Sequence, residues 1–575
     1  MKDDNNSKVA VIGLDGASVD LIEKWVKKGK LPNLAKLMNK GVYGRLETVP
    51  NMNSAPAWTS MMTGKNPGKH GIYYFYEKVY GSYDIRYLNG GDRKSETVWS
   101  ILSRGGNKVG IINVPMTYPV EEVNGFMIAG LDAPGIDSPG AVYPAHIYDD
   151  LVHNIDGYVI QPGMPGLVAA NKLDKAIERG FKAIEARLEA SIYFLNKFDW
   201  DFFMVVFSEI DAAQHLFWKY MDSDYAGYDH VGAKKYGDVI YNFYQKCDAA
   251  LEKLLSAFPS ETTVIIHSDH GAGPAEKGAC YLNSFLRHIG LLEFKGNSRG
   301  LKGTFASLKR SYFQKAFALI QKYTSRQTKE KLLKLFPKLR DKVETGRFFS
   351  NIDWSKTKVF GESSRIERWV NQKGREQQGI VEPGIEYDQL IDHLTKELYR
   401  WYDPKTGKKV VRKVLEKEEI YHGNYADKAP DLLILFNNDL MVSGIAFKDE
   451  ENDKLTIAET SGDIEDLNEI NGVHTDNGFY LISGKNIKNN IKLDGPKIID
   501  LAPTILFLMG QAIPSDMDGK VIADAFEDYV RNKIEGVISD AEDEKIQKTK
   551  QGEGIYSDED VKIIEERLRG LGYID

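Results

Sequence analysis

The sequence contains few of the features that mark a specialised class of protein. It has 2 cysteines, Cys247 and Cys280, far apart along 575 residues, so it supports neither a disulfide framework nor a thiolate metal site. Long apolar runs are also missing: the first residues, MKDDNNSK, are polar, and no later run could span a bilayer. We therefore expect a cytoplasmic protein that is neither secreted nor membrane-spanning.

An excess of positive charge is missing as well. The formal net charge is −8 at pH 7, which argues against a protein that binds nucleic acid mainly through phosphate contacts. A small phosphorylated substrate remains compatible with this charge. With 42% hydrophobic residues in 575, the chain can bury a large core, and we expect two or more domains or one domain with large insertions.

Three short runs rich in β-branched and aromatic residues indicate strands that are buried on both faces: KVAVIGL, DFFMVVFS and TTVIIHS. Helix-period segments lie between them, at residues 174–198 and 236–258. This alternation predicts an α/β fold with a doubly wound, mostly parallel sheet flanked by helices. An acidic residue follows each run, at Asp15, Asp211 and Asp269, and in such folds the site forms at the carboxyl ends of the strands.

The pattern changes after SDHGAGP, where residues 296–345 become helical and rich in Lys and Arg. We interpret this basic stretch as a solvated helical face, while a lid for an anionic substrate and a peripheral membrane contact stay open. We expect four segments along the chain: a first part of the catalytic core at 1–290, an inserted cap or substrate region at 291–455, a return of the core at 456–535, and a C-terminal helical tail at 536–575.

The tail sequence YSDEDVKIIEERLRGLGYID predicts a short amphipathic helix. Ser557 and Asp560 stand three residues apart, as in a capping box, and apolar residues follow at helical spacing. We expect a docking or oligomerisation element rather than a catalytic one.

The stretch NMNSAPAWTSMMTG, residues 51–64, holds four hydroxyl side chains, those of Ser54, Thr59, Ser60 and Thr63. Pro56 favours a first helical turn and Gly64 suits a helix end, so we predict a helix over residues 55–63 with Ser54 at its N-cap. The other three hydroxyls then lie inside the helix and can bond to carbonyls of the preceding turn. Ser54 alone sits at the end that attracts a phosphate or sulfate oxygen.

Acids and histidines near the predicted strand ends could hold metal ions. Asp211 and His215 are four residues apart and share a face if their segment is helical. Asp269 and His270 follow a strand in SDHG, and His474 heads another in GVHTDNG. Carboxylates and imidazoles without cysteine match a two-metal hydrolase site for Zn²⁺ or Mn²⁺-like ions, and two metals in one site suit phosphoryl transfer.

The ordered motifs GLDG, NSAPAWTSMMTG, IDAAQH, SDHG and GVHTDNG resemble those of the alkaline phosphatase superfamily, specifically its type I phosphodiesterase and nucleotide pyrophosphatase branch. The resemblance spans about residues 8–290 and 350–525 and implies an alkaline phosphatase-like core. It also implies two divalent ions, zinc first, with manganese or iron as alternatives. Carried over to this chain, it places Asp211, His215 and His474 on one ion, Asp15, Asp269 and His270 on the other, and Ser54 as the nucleophile that touches the second ion.

The activity implied by this resemblance is hydrolysis of a phosphodiester or phosphoanhydride through a covalent intermediate on Ser54. Phosphomonoesterase or phosphotransferase activity of the same superfamily stays open, because the pocket around the second phosphate substituent decides between them. A sulfatase would need an arginine where Trp58 stands, and a cofactor-independent phosphoglycerate mutase would carry its insertion soon after the serine. Outside the enzymes, the alternative is a catalytically silent, metal-containing binding protein that holds an anionic partner.

The residues that hold the substrate phosphate are less clearly marked. Many pyrophosphatases of this kind have threonine as nucleophile and asparagine three positions later, where this chain has Ser54 and Ala57. We therefore take as candidates the backbone N–H of Ala55, the side chain of Lys277, and the cluster of Arg365, Arg368, Asn371 and Arg375. The expected partner is a phosphorylated small molecule, without specific nucleic-acid binding.

Overall fold

The computed structural model describes residues 8–79, 81–225, 227–275, 278–295, 349, 352–362, 365–403, 407–437, 440–442, 457–459, 471–531, 534, 538–539 and 554–574. Lys277 and the basic stretch 296–345, both singled out from the sequence, lie outside these residues.

The strands of the described chain are, in order, β1 Val9–Leu14, β2 Gly41–Glu47, β3 Tyr76–Lys78, β4 Ile85–Tyr87, β5 Val109–Val114, β6 Gly125–Ala129, β7 Val142–Tyr143, β8 Phe202–Phe207, β9 Thr263–His267, β10 Gly271–Pro274, β11 Gly278–Cys280, β12 Val359–Phe360, β13 Glu367–Val370, β14 Val411–Glu416, β15 Leu432–Phe436, β16 Leu440–Val442, β17 Ile457–Glu459, β18 Gly472–Thr475, β19 Asn477–Ser483, β20 Ile491–Lys492, β21 Ile513–Pro514 and β22 Ile538–Ser539.

The α-helices are α1 Val19–Lys27, α2 Pro32–Asn39, α3 Ser54–Thr63, α4 Pro67–His70, α5 Val98–Arg104, α6 Ile147–Asn154, α7 Met164–Ala169, α8 Leu173–Lys197, α9 Glu209–Met221, α10 Ala233–Tyr236, α11 Val239–Ala257, α12 Leu282–His288, α13 Ile385–Tyr399, α14 Lys417–Ile420, α15 Leu501–Leu508, α16 Asp528–Arg531 and α17 Asp558–Gly570. Short 3-10 turns lie at Gly90–Asp92, Ala426–Lys428, Ile498–Asp500 and Ala523–Ala525.

A sheet of nine described strands forms the centre of the molecule, in the order β20-β2-β19-β9-β1-β8-β5-β6-β7. The five strands from β9 to β6 in this order pair in parallel, whereas β19 runs antiparallel to both of its neighbours. Every residue of β1, β5, β8 and β9 is buried. Because successive side chains point to opposite faces, both faces of the sheet are covered, which confirms the predicted doubly wound, mostly parallel fold.

Gly13 shows how closely the helices pack on the sheet. A Cβ atom at this position would stand 2.6 Å from the ring of Trp58 on α3, and the Trp58 side chain is fully buried. The missing side chain at Gly13 therefore lets the helix that begins at Ser54 approach strand β1. This contact fixes the start of α3 beside the carboxyl end of the strand.

Residues between Cys280 and Phe436 form a second hydrophobic cluster, separate from the main core. Its sheet has the strand order β12-β13-β15-β14, and α13 packs on it through Leu390, Leu394 and Leu398. Among the described residues, no helix is both long and apolar enough to cross a bilayer.

The helix α17 packs against the main core through Ile564 and Leu568. Ser557 caps it, accepting from the N–H of Asp560 while the Asp560 carboxylate accepts from the N–H of Ser557, as the predicted capping box requires. Leu571, Tyr573 and Ile574, which follow the helix, are also buried in the main core.

Candidate active site

The three aspartates predicted from the strand ends meet at one edge of the central sheet. The strands β9, β1 and β8 are neighbours and run in parallel, so their carboxyl ends lie together. Asp15 follows β1 directly, Asp269 follows β9 after one residue, and Asp211 lies in the first turn of α9 after β8. One helical turn beyond Asp211, on the same face, stands His215.

His474 comes from the distant return segment of the chain. The strand β18 pairs antiparallel with β10 and sets His474 opposite Ala272, which brings its ring over that of His270 with centroids 3.6 Å apart. This pairing brings two segments about 200 positions apart in the sequence together at the site.

The first group of ligand side chains consists of Asp211, His215 and His474. Oδ1 of Asp211 lies 3.2 Å from Nε2 of His215 and 3.5 Å from Nε2 of His474. The two Nε2 atoms are 3.0 Å apart. Three ligand atoms therefore converge on one point, with Asp211 and His215 buried and His474 partly exposed.

The second group consists of Asp15, Asp269 and His270, with Ser54 beside it. Nε2 of His270 lies 3.3 Å from Oδ2 of Asp269 and 3.8 Å from Oδ1 of Asp15. Oγ of Ser54 lies 3.1 Å from the same nitrogen. All four residues are buried, so the second group is a closed cluster with the serine hydroxyl at its edge.

The hydrogen bonds of the three histidines fix which ring nitrogen faces the cluster. Nδ1 of His215, His270 and His474 bonds to the carbonyl oxygens of Gly472, Gly271 and Met52, respectively. A carbonyl oxygen can only accept, so each Nδ1 carries a proton, and in the neutral form of each ring Nε2 presents a lone pair toward the carboxylates. This is the arrangement in which a histidine binds a metal ion.

The carboxylate oxygens that face these nitrogens are unsatisfied. Oδ1 of Asp15, Oδ1 of Asp211 and Oδ2 of Asp269 are buried and accept no hydrogen bond among the described residues. Buried polar atoms are normally paired, and here acceptors face acceptors at 3.0–3.8 Å. The side chains present therefore fit two divalent cations, which would satisfy all six ligand atoms.

The pKa shifts reflect the same crowding. Burial, followed by the charges of Asp269 and Asp211, raises the pKa of Asp15 well above its usual value. For Asp211, burial is outweighed by the attraction of His215 and His474, which holds its pKa well below its usual value. Burial and the neighbouring His270 lower the pKa of His474 to about 4. At His215, burial is outweighed by the Asp211 carboxylate, which raises the pKa of the imidazole. Metal ions bind ionised carboxylates and neutral imidazoles, so cation binding would release protons from Asp15 and His215.

The start of α3 differs from the sequence prediction by one residue. The N-cap is Asn53, whose side chain accepts from the N–H of Ala55, so the prediction that Ser54 caps the helix is wrong. Asparagine is as strong a cap as serine, and its use leaves the Ser54 hydroxyl free to face His270 and Tyr573. Gly64 ends the helix in the left-handed conformation as expected.

The remaining hydroxyls of this stretch are engaged inside the helix. Thr59 and Thr63 donate to the carbonyls of Ala55 and Thr59, each at 2.7 Å. Ser60 differs, because its Oγ bonds to Nε2 of His70 at 2.9 Å. Ser54 is thus the hydroxyl of the four that contacts the ligand cluster.

Tyr573, which sequence analysis does not connect with the site, contacts the candidate nucleophile. Its hydroxyl lies 2.7 Å from Oγ of Ser54, across 519 positions of sequence. Burial is the largest cause that raises the pKa of this phenol well above its usual value, and the charges of Asp211, Asp15 and Asp269 add to it. The sequence predicts that the tail docks on the protein, but nothing near Tyr573 in the sequence indicates that this residue reaches Ser54.

The predicted phosphate contacts have partners within the protein. The N–H of Ala55 donates to the Asn53 cap, and Lys277 lies outside the described residues. Each of the four other side chains has a hydrogen-bond partner: Arg365 bonds to Glu367, Arg368 to Asn283, Asn371 to backbone carbonyls and Arg375 to Asp431. The Arg365 guanidinium also lies over the ring of Tyr74, whose hydroxyl donates to the carbonyl of Tyr573. Their role in binding a substrate phosphate stays a prediction.

Comparison with known proteins gives one family match. A family model described as type I phosphodiesterase / nucleotide pyrophosphatase matches residues 9–462, a segment that contains Ser54 and every candidate ligand residue except His474. No curated protein sequence matches the chain at a significant level.

Three solved structures illustrate the structural similarity. Murine ectonucleotide pyrophosphatase / phosphodiesterase 5, in an inactive form with AMP, is 13% identical over 88% of this chain and 95% of that chain, with a TM-score of 0.45. Phosphonoacetate hydrolase from Sinorhizobium meliloti 1021, with phosphonoacetate, is 12% identical over 88% and 96%, with a TM-score of 0.48. A mutant of the alkaline phosphatase PafA is 14% identical over 91% and 99%, with a TM-score of 0.47.

Proposed function

This chain belongs to the type I phosphodiesterase / nucleotide pyrophosphatase family, as the order of its motifs predicts, and on that premise we propose that it hydrolyses a phosphodiester or phosphoanhydride through a covalent intermediate on Ser54. The observation that carries the proposal is the convergence of Ser54 with six candidate metal-ligand side chains, five of them buried and His474 partly exposed. A silent binding protein would need no hydroxyl nucleophile at this point.

We assign one divalent ion to Asp211, His215 and His474 and the other to Asp15, Asp269 and His270, with Ser54 adjoining the second. Nitrogen and carboxylate ligands without sulfur suit zinc, and they also accept manganese or iron. When bound, two such ions lower the pKa of an adjoining hydroxyl and neutralise charge on the phosphoryl oxygens. Both cysteines are free and buried, which fits the reducing cytoplasm in which we place the reaction.

The side chain of Ser54 supplies the attacking oxygen. The first turn of α3 holds its Cβ, and its Oγ lies 3.1 Å from Nε2 of His270, beside the second ligand group. Because the Asn53 side chain caps the helix, the Ser54 hydroxyl is not consumed by the helix end. Attack on phosphorus would transfer the phosphoryl group to Oγ and release the alcohol or phosphate, and water would then free the serine.

We rank the phosphodiesterase first because the family model that matches the chain is described as type I phosphodiesterase / nucleotide pyrophosphatase. The phosphomonoesterase and phosphotransferase alternatives rank second, because two divalent ions and a serine would serve those reactions as well.

Replacement of Ser54 by alanine tests the nucleophile. With bis(p-nitrophenyl) phosphate, p-nitrophenyl phosphate and a nucleoside triphosphate as substrates, Ser54→Ala should lose about a thousandfold or more in kcat and keep its metal. The matched control is Ser60→Ala, which removes a hydroxyl of the same helix that bonds to His70 instead. Turnover by Ser54→Ala at the rate of this control would overturn the nucleophile assignment.

Metal analysis of the same preparations tests the ligands. We expect about two ions per chain in the parent protein and in Ser54→Ala, and about one in Asp211→Asn or His474→Ala. Unchanged stoichiometry in both ligand variants would contradict the assigned ligand set, even if turnover fell.

A further inference from the structure

The residues 554–574, here called the tail segment, are fastened to the catalytic core at several points. Ile564 and Leu568 of α17 are 3% and 1% exposed. The guanidinium of Arg567 donates to the carbonyls of Leu131, Ala133 and Pro134. These contacts place the end of the helix, and the residues that follow it, above the carboxyl edge of the central sheet.

The residues after the helix enter the candidate active site. Tyr573 is 5% exposed and Ile574 4%. The hydroxyl of Tyr74 donates to the carbonyl of Tyr573. The ring of Tyr573 packs against Phe75, with centroids 4.6 Å apart, and against the ligand His474 at 5.7 Å. The aromatic side chain is therefore seated among residues of the site itself.

The hydroxyl of Tyr573 lies against the candidate attacking oxygen. Oγ of Ser54 is 3.1 Å from Nε2 of His270 and 2.7 Å from the phenol oxygen of Tyr573. A phosphorus atom about to be attacked must approach Oγ to about 3–3.5 Å, and the phenol oxygen already lies within that distance.

The candidate nucleophile is inaccessible in this arrangement. Ser54 and His270 are 0% exposed, and Tyr573 is one of the residues in contact with the Ser54 hydroxyl. The same contacts cannot serve as a permanent wall of a working site, because a substrate needs the position that the phenol fills.

We propose that the tail segment is a built-in inhibitor, in which the phenol of Tyr573 stands in for the substrate's phosphoryl group at Ser54. Docking of the tail segment and binding of a phosphorylated substrate then exclude each other, and turnover requires the residues after α17 to leave the site. The inference rests on the proposed function, since it takes Ser54 as the nucleophile.

Kinetics of four variants of the full chain, supplied with zinc, test the inference. Tyr573→Phe removes only the hydroxyl and should raise kcat/KM for bis(p-nitrophenyl) phosphate about two- to tenfold, as expected for loss of one hydrogen bond from the docked state. Tyr573→Ala should raise it further, and Arg567→Ala should raise it without touching the site. Ile563→Ala, a 40% exposed position of the same helix, should leave it unchanged.

A second measurement does not depend on turnover. Vanadate binds where a phosphoryl group binds, so adding it to the zinc-loaded parent protein should speed amide hydrogen exchange of residues 571–574. The inference is overturned if the two Tyr573 variants keep or lose activity, because Tyr573 would then be neutral or a working part of the site. It is also overturned if bound vanadate leaves that exchange unchanged.

The two ideas can fail separately. Parent-like turnover by Ser54→Ala would refute the proposed function. The Tyr573 variants and the exchange experiment test instead whether the tail segment inhibits the site. If Tyr573→Ala unfolds, Tyr573→Phe and the exchange of the parent protein still decide.

Discussion

Substitution of Arg187 by methionine should destabilise the catalytic core by about 3–5 kcal/mol, because it leaves a buried carboxylate without its partner. Both side chains of the ion pair between Arg187 and Glu209 are 0% exposed. Nη1 of Arg187 donates to the two carboxylate oxygens of Glu209 at 2.5 and 2.6 Å. Glu209 is the first residue of α9, so the pair holds the beginning of the helix that carries Asp211 and His215.

The contacts around the pair set the size of the effect. Nη2 of Arg187 also donates to the carbonyls of Val159 and Ile160, at 3.4 and 3.2 Å. Methionine fills much of the volume of arginine but donates to none of these three groups. We therefore expect the loss to fall in the upper half of the range, since each buried acceptor left unpaired costs about 1–3 kcal/mol.

A double substitution separates the charge from the packing. Arg187→Met together with Glu209→Leu removes both charges and should lie within about 1–2 kcal/mol of the parent protein, because an apolar pair replaces the ion pair. The coupling energy from the four-protein cycle should then be about 3 kcal/mol or more.

Urea denaturation followed by tryptophan fluorescence measures these free energies, with an unchanged m value as the control for an unchanged folded state. A loss below about 1 kcal/mol in Arg187→Met would refute the reasoning, because the range for a broken buried pair begins well above it. Additive losses in the double variant would refute it equally, since they would mean that the two charges do not interact.

Two further predictions concern positions next to the site. Gly16→Ala should lower the bound metal toward one ion per chain, because the new Cβ would stand 2.7 Å from Oδ1 of Asp211. Gly29→Ala is the control: its φ of +69° is close to the +67° of Gly16, but no atom lies within 4 Å of the new Cβ, so this variant should keep both ions. His70, whose pKa is lowered to about 3 by burial and then by Arg93, should stabilise the fold fully above about pH 6.5 and lose about 1.4 kcal/mol per pH unit below it. His70→Gln should lack this slope in unfolding measurements between pH 7.5 and 5, and identical slopes would contradict the prediction.

The local sequence pattern correctly predicts those elements and side-chain positions that depend on residues close together in the chain. The strand-like runs before Asp15 and Asp269 are fully buried strands of the parallel sheet, because an unbroken β-branched run suits a sheet covered on both faces. The four-residue spacing of Asp211 and His215 places both on one face of α9. These positions could be inferred because each depends on one element and its end.

Other positions depend on a choice that the sequence leaves open. Asn53 and Ser54 are adjacent and both are strong cap formers, so composition cannot decide which one begins α3. The structure uses Asn53, and this shift by one residue turns Ser54 from a cap into a side chain that faces His270. The positive charge of Arg375 likewise suggests an anion site, whereas in the structure Arg375 forms an ion pair with the buried carboxylate of Asp431.

Tyr573 marks the limit of sequence reasoning most clearly. Its partner Ser54 lies 519 positions away, and an amphipathic helix predicts only that one face is buried, not which surface receives it. The docking of α17 through Ile564 and Leu568 then decides where the next residues go. No periodicity or motif within the tail contains this information.

The ligand cluster combines features that folding by itself would disfavour. Three buried carboxylate oxygens have no hydrogen bond among the described residues, and the three histidines direct Nε2 toward them because each Nδ1–H is held by a carbonyl. Buried anions without a partner are strongly destabilising, and those carbonyls prevent the rings from presenting Nδ1–H instead. The backbone therefore preorganises acceptors for cations, so loss of the ions should affect the stability of this edge of the sheet as well as its chemistry.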